Sequence, residues 1–420
     1  MKCARRSSSA PGIREWPRWL VRLATRRTGQ DRALLAAAKT KGGAATGKDS
    51  RDEIYYTQVV ILTAETVFAT GFLGVARQLV PVAGTAAWIS CLLGAAVGLL
   101  VAWLAGLLAQ RFPDQNLVRM AESIFTAPVG KGIGITFTAY CTFILAIGSR
   151  QFVLAIWIPF LQNTSPVLIS AVFFLLIVYA AYLGIESIAR VSLLFFTVVA
   201  SSLALLIWLA VPVSVPARLL PLVGLGPVPV LRASLLASSY AGECVVALAF
   251  IRHLKDKRGA ARAIGTGAVI GMAVMALATG IGVMMLGTRG ISRATFPALE
   301  TARMVGVGEF LERAEILFLA LWFSVALLKL AAVFYASVTS AADVLNLRDY
   351  RPLIIPYAIL ATVLSQLPRT DVETFASVRW FLTYTPWYAA ALPALLLLGA
   401  MARGLRGGQD RSGTDRREAR

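Results

Sequence analysis

Charge is scarce in this chain. Asp, Glu, Lys and Arg together make up 15% of 420 residues, where a soluble domain carries about 25%. Histidine is nearly absent: His253 is the only one, so Ser–His and His–metal catalysis have little material. The four cysteines, Cys3, Cys91, Cys141 and Cys244, lack metal-ligand spacing. Three of them lie in apolar stretches, where Cys acts as a small hydrophobe. Gly130-Lys131-Gly132 lacks the full spacing of a phosphate loop. These absences exclude an ordinary soluble enzyme and point to no metal and no cofactor.

What is present is apolar. Hydrophobic residues make up 57% and the mean hydropathy is +0.70, the composition of a polytopic membrane protein. Ten stretches approach the roughly 20 residues that cross a bilayer: 57–82, 87–109, 132–159, 166–184, 188–212, 231–252, 262–287, 314–341, 352–367 and 379–402. The expected domains are a basic, disordered cytoplasmic tail at 1–52, a membrane domain at 53–403 and a charged cytoplasmic tail at 404–420. Residues 1–56 hold 13 Lys and Arg against 5 acids, with no apolar run of signal-peptide length.

The excess of 41 Lys and Arg over 22 acids suggests nucleic acid only if it is spread over a soluble surface. Here it follows topology. With the N-terminus inside and the spans alternating, 30 of the 41 basic residues fall on the cytoplasmic side, as the positive-inside rule requires. Both termini are therefore expected inside, with the bilayer and no nucleic acid as the surroundings.

Ten spans divide into five and five. Transporters built as inverted repeats mark their binding site by interrupted helices at matching positions. The first span contains Thr70-Gly71 near its middle, and the sixth contains Tyr240-Ala241-Gly242-Glu243. Glycine permits a break, and broken backbone offers polar groups to a ligand. A single such glycine reads equally as close helix packing, as Gly94/Gly98 and Gly267/Gly271 do; the paired positions favour the site.

Four charges fall well inside spans: Glu65, Arg150, Glu243 and Lys329. Charges at membrane depth face the bundle interior and pair. Two acids and two bases balance. Arg150 is expected to be structural or to reach an interface.

The ordered residues then resemble a family. The first span with its downstream Pro81, Trp88-Ile89-Ser90, Arg111-Phe112-Pro113, Gly242-Glu243, Phe296-Pro297 and Phe310-Leu311-Glu312-Arg313 are similar to the spore germination permease family. Its members are the B subunits of nutrient germinant receptors, a branch of the amino acid/polyamine/organocation superfamily. The position before Ala87-Trp88, usually Asp in that family, is Ala86. The resemblance implies an all-α, LeuT-like 5+5 inverted repeat with helices 1 and 6 broken. It implies a germinant-sensing subunit in the inner membrane of the spore, with A-type and C-type (lipoprotein) subunits as partners. A proton- or sodium-coupled amino acid transporter is the alternative, and a scaffold with a vestigial site a third. A small amino acid would meet Thr70, Gly71, Tyr240, Ala241, Gly242 and Glu243, with Tyr140 covering the pocket. The resemblance also implies that Lys329 lies near the first span, with Glu65 as its counter-ion, where it would either supply the positive charge that a coupling sodium supplies in LeuT-like folds or form a structural pair.

Overall fold

A computed structural model describes residues 53–305 and 314–405. The tails expected at 1–52 and from 406 onward, and Phe310-Leu311-Glu312-Arg313, lie outside the described residues. Thirteen helices run through the rest: α1 Tyr56–Phe68, α2 Val75–Ala83, α3 Ala87–Arg111, α4 Leu117–Ile124, α5 Ala127–Trp157, α6 Pro166–Leu183, α7 Ile185–Ala210, α8 Pro227–Gly242, α9 Ala260–Arg293, α10 Pro297–Met304, α11 Ala314–Val344, α12 Arg351–Ser365 and α13 Asp371–Ala402. Among the described residues, eight helices are long and apolar enough to cross a membrane. Each of the ten expected spans overlaps a helix. The first is divided into pieces of 13 and 9 residues, and the ninth is a helix of 15, so length and composition alone establish eight.

Local chemistry sets the helix ends. Proline stands at the first turn of α5, α6, α8 and α10, where its missing N–H would have had no helical partner. Asn116 caps α4 by accepting from Arg119 N at 3.0 Å, and Thr370 caps α13 by accepting from Glu373 N at 3.2 Å. The turn from α6 to α7 needs the left-handed backbone of Gly184, φ 91°, and Arg190 pairs with Glu186 just beyond it. Outside the membrane span, Ile54 bridges to Leu254. Lys255 meets Glu53 at 3.4 Å. The Tyr55 hydroxyl first, and then Glu53, hold the exposed Lys255 ammonium above its ordinary value.

Packing is led by α9 and α3. The closest helix pairs are α3 with α9, α1 with α9, α3 with α8 and α5 with α11. Small residues make these approaches possible. Gly94 lies against Ala237 and Ser238 of α8, and Gly98 against Ala268 of α9 and Ala241 of α8. Gly267 and Gly271 of α9 lie against the 60–67 stretch of α1. Without a hydrophobic drive between helices in lipid, such close contact is what holds them together.

Candidate functional site

Both interruptions are real and they differ in kind. In the first span, α1 stops at Phe68 and α2 starts at Val75. Through the gap, the Gly71 carbonyl accepts from Gly74 N at 3.0 Å and from Val75 N at 2.7 Å, which restarts the helix. In the sixth span the chain does not unwind. It tightens at Glu243 into an 11-residue 3₁₀ segment, Glu243–His253, and the Glu243 N–H is shared between the Tyr240 and Ala241 carbonyls. Runs of 3₁₀ beyond three or four residues are uncommon and often mark a hinge.

The two interruptions meet at Lys329. Its Nζ lies 2.8 Å from Glu243 Oε2, with the two side chains 0% and 1% exposed. The same Nζ donates to Thr70 Oγ1 at 2.5 Å. Lys329 therefore reaches the first span as expected, through Thr70 and not through Glu65. Its carboxylate is Glu243. The expected Glu65–Lys329 pairing is corrected: Glu65 is fully buried and neither of its oxygens has a hydrogen-bond partner. Thr70 follows Glu65 by five positions, about 140° further round a helix of 3.6 residues per turn. One face of the span points at α11 and the other does not.

Arg150 is the fourth intramembrane charge, and it stays apart from the other three. Its Nη1 donates to Gln366 Oε1 and its Nη2 to the Arg369 carbonyl, both at 3.2 Å, tying α5 to the turn between α12 and α13. Hydrogen bonds from a charged donor contribute about 1.5–3 kcal/mol. Arg150→Gln is expected to lower the unfolding midpoint in detergent; a silent thermal profile would show that the tie carries little.

Tyr240 fills the space above the triad. A Cβ built on Gly71 would sit 2.8 Å from the Tyr240 ring and 2.7 Å from Met275 Cε, so the ring rests directly on the backbone of the break. Phe381 of α13 packs on its other side, ring centres 5.4 Å apart. Gly242 admits Ala389 of α13, whose Cβ would lie 2.9 Å from an added methyl, and Ala241 is buried against Gly98. Tyr140 stacks on Tyr388 at 4.6 Å, and its hydroxyl has no hydrogen-bond partner. Tyr240, not Tyr140, is the ring seated on the break.

Two crevices flank this centre, each with room for about one water molecule (≈ 10 Å³). One is lined by Thr70, Gln78, Gln151, Tyr240, Phe296 and Trp322, and the other by Thr63, Thr66, Glu243 and Cys244. Sequence reading did not single out Gln78 and Gln151. They sit next to Arg77 and Arg150 in the chain. A larger cavity, ≈ 560 Å³, lies elsewhere, between α5, α11 and α12. Its walls include the exposed Ile135, Phe143, Leu345 and Leu360, an apolar surface suited to lipid.

Known proteins agree with this architecture. The chain is 24% identical over 287 residues to spore germination protein KB of Bacillus subtilis (strain 168), covering 67% of this chain and 77% of that protein. Among solved structures, a substrate-bound, outward-open Na+-coupled sialic acid symporter superposes with a TM-score of 0.59 at 15% identity. That match covers 82% of this chain and 78% of the symporter. MhsT in complex with L-phenylalanine superposes with a TM-score of 0.57 at 14% identity, covering 82% and 98%. The fold is thus the LeuT-like one of these transporters, and the chain is a multi-pass membrane protein of a permease type. The model of a family described as spore germination protein matches residues 53–372; the chain belongs to the spore germination protein family.

Proposed function

We propose that this chain is the membrane-embedded B-type subunit of a spore germinant receptor, and that a small amino acid binds between its two helix interruptions. The observation that carries the reading is the Lys329–Glu243–Thr70 cluster, which joins both interruptions beneath Tyr240. A zwitterion has the charges to replace this internal pair. Its carboxylate would take Lys329 and Thr70, aided by the positive start of α2. Its ammonium would take Glu243. Tyr240 and Tyr140 would cover the side chain. Binding would part Lys329 from Glu243, and the 3₁₀ segment beginning at Glu243 would relay the change toward partner subunits. Ten spans, both termini in the cytoplasm and residence in the inner spore membrane complete the proposal. A-type and C-type lipoprotein subunits would be the partners.

Thr70→Val removes one hydrogen bond with little change in shape. It is expected to raise the half-effective germinant concentration about 2–10-fold, from the ~0.5–1.5 kcal/mol of a typical hydrogen bond. A thermal-shift screen of the purified protein against single amino acids should give a hit that Thr70→Val weakens and Glu243→Gln abolishes. Unchanged dose–response curves in Thr70→Val and Tyr240→Ala spores would move the site elsewhere.

The transporter fold of the structural neighbours supports a second reading, an ion-coupled amino acid transporter. Substrate-driven uptake by the protein alone in liposomes separates the two, since a receptor subunit binds without accumulating substrate.

A further inference from the structure

Glu65 is an intramembrane charge that neither the binding reading nor the Arg150 tie uses. It lies in the last turn of α1, where its own carbonyl accepts from Ala69 N at 3.0 Å. Its side chain is 0% exposed and both carboxylate oxygens lack hydrogen-bond partners. The side chain of Ser192, on α7, lies beside it. That serine is also 0% exposed, and its Oγ also lacks a partner.

Every element packed against α1 was considered for a counter-charge. These are α7, α8, α9, α11 and the 3₁₀ segment. On α7, Glu186 and Arg190 pair with each other near the exposed start of the helix. On α11, Lys329 is engaged by Glu243 and Thr70. On α8 stand Arg232, near the helix start, and Tyr240; on the 3₁₀ segment stand Glu243, Cys244 and, at its far end, Arg252, which donates to His253, itself facing the Tyr335 hydroxyl. α9 meets this stretch of α1 through Gly267 and Gly271.

We propose that Glu65, with Ser192, is a proton-binding site, occupied in the conformation seen here and independent of the Lys329–Glu243 pair. Three physical arguments converge. An unpaired carboxylate in a dry interior becomes neutral by taking a proton. The C-terminal end of a helix carries partial negative charge, which disfavours a second negative charge in its last turn. The Ser192 hydroxyl can offer an ionised Glu65 only one hydrogen bond and leaves its second oxygen bare, whereas a protonated carboxyl carries no charge to bury and gains an O–H donor of its own for Ser192 Oγ. Any rearrangement of the first span that wets Glu65 then releases the proton to water. The equilibrium between the two conformations is therefore linked to pH, with acid favouring the one seen here.

Infrared spectroscopy of the purified full chain in detergent tests this. The wild type at neutral pH should show the C=O stretching band of a protonated carboxyl. Glu65→Gln should remove that band, and Glu243→Gln should retain it. Ser192→Ala, a mild change that keeps Glu65, should shift its frequency, which serves if Glu65→Gln does not fold. A wild type without the band, a band that survives Glu65→Gln, or a band unmoved by Ser192→Ala would each overturn the proposal. So would a band lost when sodium chloride replaces potassium chloride, since the occupant would then be sodium.

Discussion

Lys329→Met should destabilise the protein by about 3–5 kcal/mol, the loss found when one partner of a buried ion pair is removed. The reason is what remains. Glu243 is 1% exposed, and Lys329 is the cation facing it at 2.8 Å. Methionine fills a similar volume but leaves a carboxylate without compensation. The measurement is the unfolding midpoint and folded yield of the purified variant in detergent. The double variant Lys329→Met/Glu243→Gln should recover most of the loss, because neutralising both groups removes the stranded charge. A buried pair replaced by apolar or neutral groups is often no less stable than the original. The partner assignment is tested by the other double variant: Lys329→Met/Glu65→Gln should recover nothing. Glu65→Gln alone should be close to neutral in stability, since an amide replaces a neutral acid of the same shape. If Lys329→Met were tolerated without the second change, the ion pair would not be holding the two interruptions together.

The choice of Glu243 over Glu65 shows what a sequence carries and what it withholds. Thr70-Gly71 and Gly242-Glu243 were legible as interruptions because glycine and polar residues stand out in apolar runs. Their matched positions were legible as a repeat. That Lys329 approaches the first span was an expectation of the LeuT-like resemblance, and its contact there is Thr70. Which acid it meets was not legible. That depends on the rotation of one helix against another, and nothing within 57–82 reports the rotation. The form of the second interruption was also hidden. Glycine permits unwinding, yet Gly242 instead admits Ala389, and the backbone tightens into 3₁₀ geometry with its carbonyls still hydrogen-bonded. The span count met a similar limit. Hydropathy sums residues along the chain, whereas the first span is divided by the break after Phe68 into helices of 13 and 9 residues. Arg150 was expected to be structural or to reach an interface, and its partners, the Gln366 side chain and the Arg369 carbonyl, lie more than 200 positions away.

Gly267→Ala is the second large effect expected, and it arises from backbone. A methyl at that position would lie 2.4 Å from the Val60 carbonyl oxygen and 2.7 Å from Thr63 Cβ. A side chain can swing aside; a carbonyl within a helix cannot. Gly71 offers the contrast, because its added methyl would meet the Met275 terminus and the Tyr240 ring, both of which have rotamers to use. Accommodating Gly267→Ala therefore requires α9 to move away from α1, and overpacking of this kind costs about 1–3 kcal/mol. The control is Gly132→Ala in α5, where an added Cβ has nothing within 4 Å. There the lower backbone entropy of alanine should stabilise by about 0.5–1 kcal/mol. Opposite shifts of the unfolding midpoint in the two variants are the expected outcome. Two upward shifts would mean that α9 does not rest on α1 at this depth. The consequence reaches the site: α1 carries Glu65 and ends at the interruption holding Thr70, and α9 is its most extensive neighbour. A Gly267→Ala protein that still folds should therefore respond to nutrient with a displaced dose–response curve, although residue 267 touches none of the ligand-facing groups.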